Sequence, residues 1–240
     1  MLQSVRLSSI GAVCAISTSF CFVLGAVAMG ISGVDTLIPD TGQQGRSWIT
    51  DVDGASGLFF AGAWLIVLMG FLAIVAFVAF YDVLRDAGQM LVLAPVLGAV
   101  GMTLVTVSHL VPIALAYELV PAYTDAAPAT QSSLGGVFET FASIAAVTNA
   151  AGNFLGWGVA LPLYALAIFT TRALPRWIGW LGLFVAAFAG WLGLLSPVSD
   201  VISGISFLGF IGFFVFMVSM GICLLRRRAT TSAGGTRKMA

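Results

Sequence analysis

From Ser56 to Phe80 the chain runs for 25 residues without a charged side chain. The hydrocarbon core of a bilayer is about 30 Å thick, and roughly 20 apolar residues cross it as a helix. Further apolar runs of membrane-crossing length or close to it lie at 8–31, 90–116, 145–170, 177–195 and 201–225. Only 8% of the 240 residues are charged, where a soluble domain carries about 25%. In lipid each backbone polar group must be bonded within its own segment or a closed barrel. Barrel strands are about ten residues of alternating polarity, and these runs are longer and uniformly apolar. The sequence therefore predicts an all-α, polytopic transmembrane helix bundle of six spans over residues 1–225.

Two spans need argument. The first contains Ala26-Val27-Ala28, which has the look of a signal-peptidase site. Its apolar stretch exceeds the roughly 7–15 residues of a signal peptide, so a retained helix is expected. The helical pattern around the fourth covers residues 135–171, 37 residues or about 55 Å at helix rise. That is too long for one upright span and too short for two. It reads as one span over 145–170 with an extension outside the membrane at its start.

The charges between the runs set a direction. With the N-terminus inside, inner segments hold Arg6, Arg85, Arg172, Arg176, Arg226, Arg227, Arg228, Arg237 and Lys238, nine of ten basic residues. Only Arg46 falls outside, so the positive-inside rule gives N-in, C-in. Eight of ten acids fall outside: Asp35, Asp40, Asp51, Asp53, Glu118, Asp125, Glu139 and Asp200. Trp48, Tyr81, Tyr117, Tyr123, Trp177 and Trp180 lie near span ends, where amphipathic rings anchor helices in the interface.

The outer segments 32–55 and 117–134 are too short for folded domains and read as solvated connectors, although an acidic loop can also hold a cation. The tail, residues 226–240, is basic and then small and polar, and disorder is expected there. Arg226, Arg227 and Arg228 would face anionic lipid headgroups, at about 1 kcal/mol per charge. The net charge of zero gives no pull toward nucleic acid.

Chemistry has few places to sit. No Lys, Arg, Asp or Glu occupies the centre of a span, which argues against a carboxylate proton relay, a voltage sensor or a Schiff-base lysine. One histidine cannot supply bis-histidine haem ligation, and a zinc site needs three or four ligands. Cys14, Cys21 and Cys223 lie in apolar runs without metal-ligand spacing and read as packing residues. No cofactor or metal is implied.

What remains is a small polar cluster. His109 lies about 10 Å in from the outer end of span three by helix rise. Asn149 and Asn153 are one turn apart in the outer half of span four, with Glu139 above them. An imidazole in an apolar span is expected to be neutral, with one donor and one acceptor nitrogen, and an asparagine amide supplies both complements. Interhelical bonds of this kind brace a bundle, at about 0.6 kcal/mol each on average. The alternative is that the four residues line an outward-facing ligand pocket.

The stretch Leu174-Pro175-Arg176-Trp177-Ile178-Gly179-Trp180-Leu181-Gly182-Leu183 is the most distinctive in the chain. It resembles the signature of a bacterial family of six-span integral membrane proteins catalogued only as a domain of unknown function. The preceding GWGVALPLYALAIFTTR and the length of the first outer segment fit that layout. The resemblance supports six spans and carries no activity and no catalytic residue. Physically, Pro175 cannot continue span four and so opens a tight turn, which Arg172 and Arg176 hold on the inner side.

These readings leave three functions open. The first is a non-enzymatic plasma-membrane protein that binds a small or lipophilic ligand, or acts as a membrane partner. The second is a small transporter working as a homo-oligomer, since six spans are few for a complete carrier. The third is an intramembrane enzyme acting on lipid or quinone.

Overall fold

The computed structural model describes residues 7–34, 36–39, 43–55, 57–198 and 200–236. Among them are seven helices and no strand: α1 (Leu7–Ile31), α2 (Gln43–Asp53), α3 (Gly57–Ala87), α4 (Gln89–Thr124), α5 (Pro128–Thr171), α6 (Arg176–Leu195) and α7 (Asp200–Thr236). All but α2 contain a segment long and apolar enough to cross a membrane, which makes the chain a multi-pass membrane helix bundle.

The helices overrun the expected spans wherever polar sequence had suggested loops. α4 continues beyond Ala116 to Thr124, and α5 starts at Pro128. The 117–134 segment is thus two helix ends joined at residues 125–127. Proline suits the first turn of a helix, where its missing N–H would have had no partner. Gln131 Nε2 closes the turn by donating to the Tyr123 carbonyl at 3.1 Å. The long fourth pattern is one unbroken helical segment of 44 residues. At the other end of the chain, residues 226–236, where disorder was expected, continue α7 as helix. Residues 237–240, with Arg237 and Lys238, lie outside the described residues, as do Asp35 and Asp40.

The segment between α1 and α3 is also more ordered than a connector. In α2, Trp48, Ile49 and Val52 are buried, while Arg46, Asp51 and Asp53 are exposed. This one-sided helix lies against the C-terminal end of α4, residues 115–124. Trp48 is not an interfacial anchor. It is only 4% exposed, its Nε1 donates to the Thr36 carbonyl at 3.0 Å, and its ring lies 5.8 Å from Phe138 and 6.1 Å from Phe59. Trp177 and Trp180, by contrast, are 52% and 66% exposed, as anchoring rings require.

Three spans leave the α-helical register for a stretch of π-helix: Leu115–Leu119 in α4, Phe154–Ala160 in α5 and Ala186–Trp191 in α6. Two have an identifiable cause. Pro121 and Pro162 follow them closely and have no N–H to return to the carbonyl four residues back. The chain takes up the mismatch by widening the preceding turn.

The chain clusters into two compact units, residues 20–70 with 103–152, and residues 1–19, 71–102 and 153–240. In the second, fully buried Tyr164 stacks on Phe77 at 5.9 Å, and its hydroxyl donates to the Phe77 carbonyl at 2.6 Å. Gly158 of α5 meets Gly190 of α6, so close that a Cβ on Gly190 would collide with the Gly158 backbone. The Trp191 indole donates to the Gly158 carbonyl at 3.1 Å. That is the carbonyl Pro162 cannot serve.

The α5–α6 turn is tight, as the sequence implies. α5 ends at Thr171, Arg172 adopts the left-handed conformation (φ 53°, ψ 22°) and its N–H returns to the Ile168 carbonyl. Pro175 stands at the head of α6, and its carbonyl accepts the Ile178 N–H at 3.1 Å.

Candidate functional site

The unit of residues 20–70 and 103–152 holds three of the four polar residues that the sequence singles out, His109, Glu139 and Asn149. In it the link between α4 and α5 is made by Ser108, next to His109. Ser108 is fully buried. Its Oγ lies 2.7 Å from the Val105 carbonyl and 3.3 Å from Asn149 Oδ1. One hydroxyl proton serves one acceptor at a time. With the Asn149 amide turned over, its NH2 would donate to Ser108 Oγ, and both contacts would hold together. This is the interhelical brace expected of the cluster, with serine in the place foreseen for histidine. His109 Nδ1 is buried and has no hydrogen-bond partner.

Asn153 belongs to the other unit. It is 8% exposed, and its Oδ1 is buried and unpaired. One turn further on, in the π segment of α5, Trp157 is 3% exposed and its Nε1 is also unpaired. The Trp157 ring is held against Phe210 and Phe213 of α7, at 4.8 and 4.9 Å. An unpaired buried polar atom costs about 1–3 kcal/mol, so this stretch of α5 is a local weak point.

Among the described residues, open space also lies away from these residues. A groove of about 320 Å³ is lined by Val111, Ala114, Leu115, Glu118 and Leu119 of α4 with Val137 and Phe141 of α5. On α4 the lining residues recur at three- and four-residue intervals and so share one helix face. Three of them, Leu115, Glu118 and Leu119, belong to the π segment. Val137 and Phe141 are one turn apart on α5. The volume is at the small end of ligand pockets, about 300–1,000 Å³.

None of the four residues chosen from the sequence lines this groove. His109 precedes Val111 by two positions and Glu139 follows Val137 by two, so each starts a different face of its helix. Glu118 is the one charged residue among the lining, although the surface the groove presents is apolar, and the sequence marks it only as one of several acids between spans. Its signal in the sequence is its place on the Val111–Ala114–Leu115 stripe, three residues before a helix-perturbing proline. Among the described residues, no three His, Cys, Asp or Glu side chains gather as a metal site.

Compared with known families, residues 18–227 match the family described as Domain of unknown function (DUF4386). No curated protein and no solved structure matches the chain.

Proposed function

We propose, from the premise that the chain belongs to this family of unknown function and takes no activity from it, that it binds a lipophilic ligand at the outer side of the bacterial plasma membrane. The orientation is N-in, C-in, on the nine-to-one split of basic residues. The observation that carries the reading is the groove on α4 and α5. It has room for a single chain, walls of Val, Ala, Leu and Phe, and a wholly apolar surface. A groove of this make-up holds a ligand by apolar contact. The part-buried bond between Ser108 and Asn149 braces the two helices that form the walls.

The test is native mass spectrometry of the protein extracted in its own lipid. A retained amphiphile is expected on the unsubstituted chain and absent from Ala114→Trp, whose ring fills the groove. Equal retention by both would remove the groove from the account.

A carrier is the second reading. What favours it is the pair of unpaired buried atoms in α5, Asn153 Oδ1 and Trp157 Nε1, beside π-helical turns in both α5 and α6. A transporter needs helices with two packings of similar energy, and unsatisfied groups narrow that gap. Solute flux into proteoliposomes that Asn153→Leu changes would favour this reading, and its absence across solute classes would dismiss it.

A further inference from the structure

We propose that Asn153 and Trp157 together hold one hydroxyl group, from water or from a lipophilic alcohol, on the face of α5 that packs against α7; the inference goes beyond both readings above and does not use the groove. Two buried atoms carry it. Asn153 is 8% exposed and Trp157 3%, and neither Asn153 Oδ1 nor Trp157 Nε1 has a hydrogen-bond partner. One is an acceptor and the other a donor. They do not bond each other, but one hydroxyl oxygen can accept the indole N–H while its proton goes to the amide oxygen. Such a bridge is nearly as favourable as a direct bond.

Their placement lets one group reach both. Asn153 precedes Trp157 by four residues, so the two share a helix face. Long side chains on a helix lean toward its N-terminus, over the residue three or four back, which carries the indole toward Asn153. The Trp157 ring packs on Phe210 and Phe213 of α7 at 4.8 and 4.9 Å, so this face looks to α7. The two helices run parallel: Gly158 and Phe169 of α5 meet Gly190 and Gly179 of α6, and Gly209 and Phe216 of α7 meet Ala189 and Gly182. One turn before Phe210, at the level of Asn153, stands the buried Ser206. None of these residues is charged, so a carboxylate or an ammonium would be buried unpaired, at high cost. A neutral group that both donates and accepts fits, and a hydroxyl does both with one oxygen.

The experiment uses the full chain in phosphatidylcholine nanodiscs, with isotope-labelled indole nitrogens for NMR. The Trp157 resonance is the one lost in Trp157→Phe. If water is the occupant, the Trp157 Nε1–H shows cross-relaxation with water in the nanodisc alone, and Asn153→Leu abolishes it. If an alcohol is, that cross-peak is absent, and octanol shifts the resonance where octyl methyl ether, which accepts but cannot donate, does not. In the medium that gives the response, Asn153→Leu and Trp157→Phe should each lower the unfolding midpoint, and the pair by less than the sum, because both lose the same bridge. The indole response is read on the unsubstituted chain and so decides even if Asn153→Leu fails to fold. The site is overturned if the indole responds to neither water nor octanol, if ether and octanol act alike, or if Asn153→Leu leaves the response intact. It is equally overturned if either substitution stabilises the chain, as removing an orphaned atom would, or if the two costs simply add.

Discussion

Replacing Trp191 by phenylalanine removes one hydrogen bond, and so does replacing Tyr164 by phenylalanine. Each lost bond ran to a backbone carbonyl, yet the two costs are expected to differ severalfold. Tyr164 donates to Phe77 in the interior of α3, where that carbonyl keeps the N–H of residue 81 as its helical partner. Tyr164→Phe thus loses a bond and leaves no orphan, at about 0.6 kcal/mol, the average for interhelical bonds in a bilayer. Trp191 donates to Gly158, whose donor in α register would be Pro162. Trp191→Phe strands a buried carbonyl, and such groups cost about 1–3 kcal/mol. Pro162→Ala restores the missing N–H, so in that background Trp191→Phe should fall to the level of Tyr164→Phe. The assay is reversible unfolding in mixed micelles as sodium dodecyl sulfate is increased, arranged as a double-mutant cycle over Trp191 and Pro162. The reasoning is refuted if Trp191→Phe costs no more than Tyr164→Phe, or if its cost is the same with Pro162 present and absent.

Three further outcomes are expected. Single cysteines at Gln43 and Ser232, in a chain freed of native cysteines, should react with an impermeant thiol reagent in intact cells at 43 and not at 232; the opposite pattern would invert the topology. Replacing Arg172 and Arg176 together by glutamate should lower the yield of correctly oriented α5 and α6, and a protease-protection pattern identical to the unsubstituted chain would show that these charges do not direct insertion. His109→Ala should lower thermal stability by about 1 kcal/mol or more, as for a buried side chain truncated beside a helix–helix contact, with amphiphile binding in the groove unaffected. Loss of binding by a stable His109→Ala protein would instead place the histidine in the ligand site.

The six spans were legible because a charge inside a bilayer is costly, so uncharged runs such as Ser56–Phe80 mark themselves. Their ends were not, because helices outside the hydrocarbon core obey no such rule. Thr130, Gln131, Ser132 and Ser133 look like a loop and form the opening turns of α5. Trp48 misled for a related reason. A tryptophan near a span end suggests an anchor, but with Ile49 and Val52 it makes the buried stripe of α2. Pro121 and Pro162 were passed over in the sequence, and the π register beside them is a product of neighbouring turns. The site was hardest to read. Searching for polar residues in apolar spans finds the brace, as with Asn149. It misses a groove made of valine, alanine, leucine and phenylalanine, whose only signature is that two helix faces distant in sequence happen to diverge.

A π turn is an α-helix holding one residue too many. Elsewhere in a span, an inserted or deleted residue would rotate everything beyond it by about 100° and shift it by about 1.5 Å, turning packed faces toward lipid. Within 115–119, 154–160 or 186–191, a one-residue deletion can be absorbed by tightening the turn back to α, with both flanks kept in register. These segments are therefore where the lengths of the spans are free to drift between generations of the gene. Differences in span length among descendants of this chain should collect at these three places, leaving contacts such as Tyr164 on Phe77 untouched.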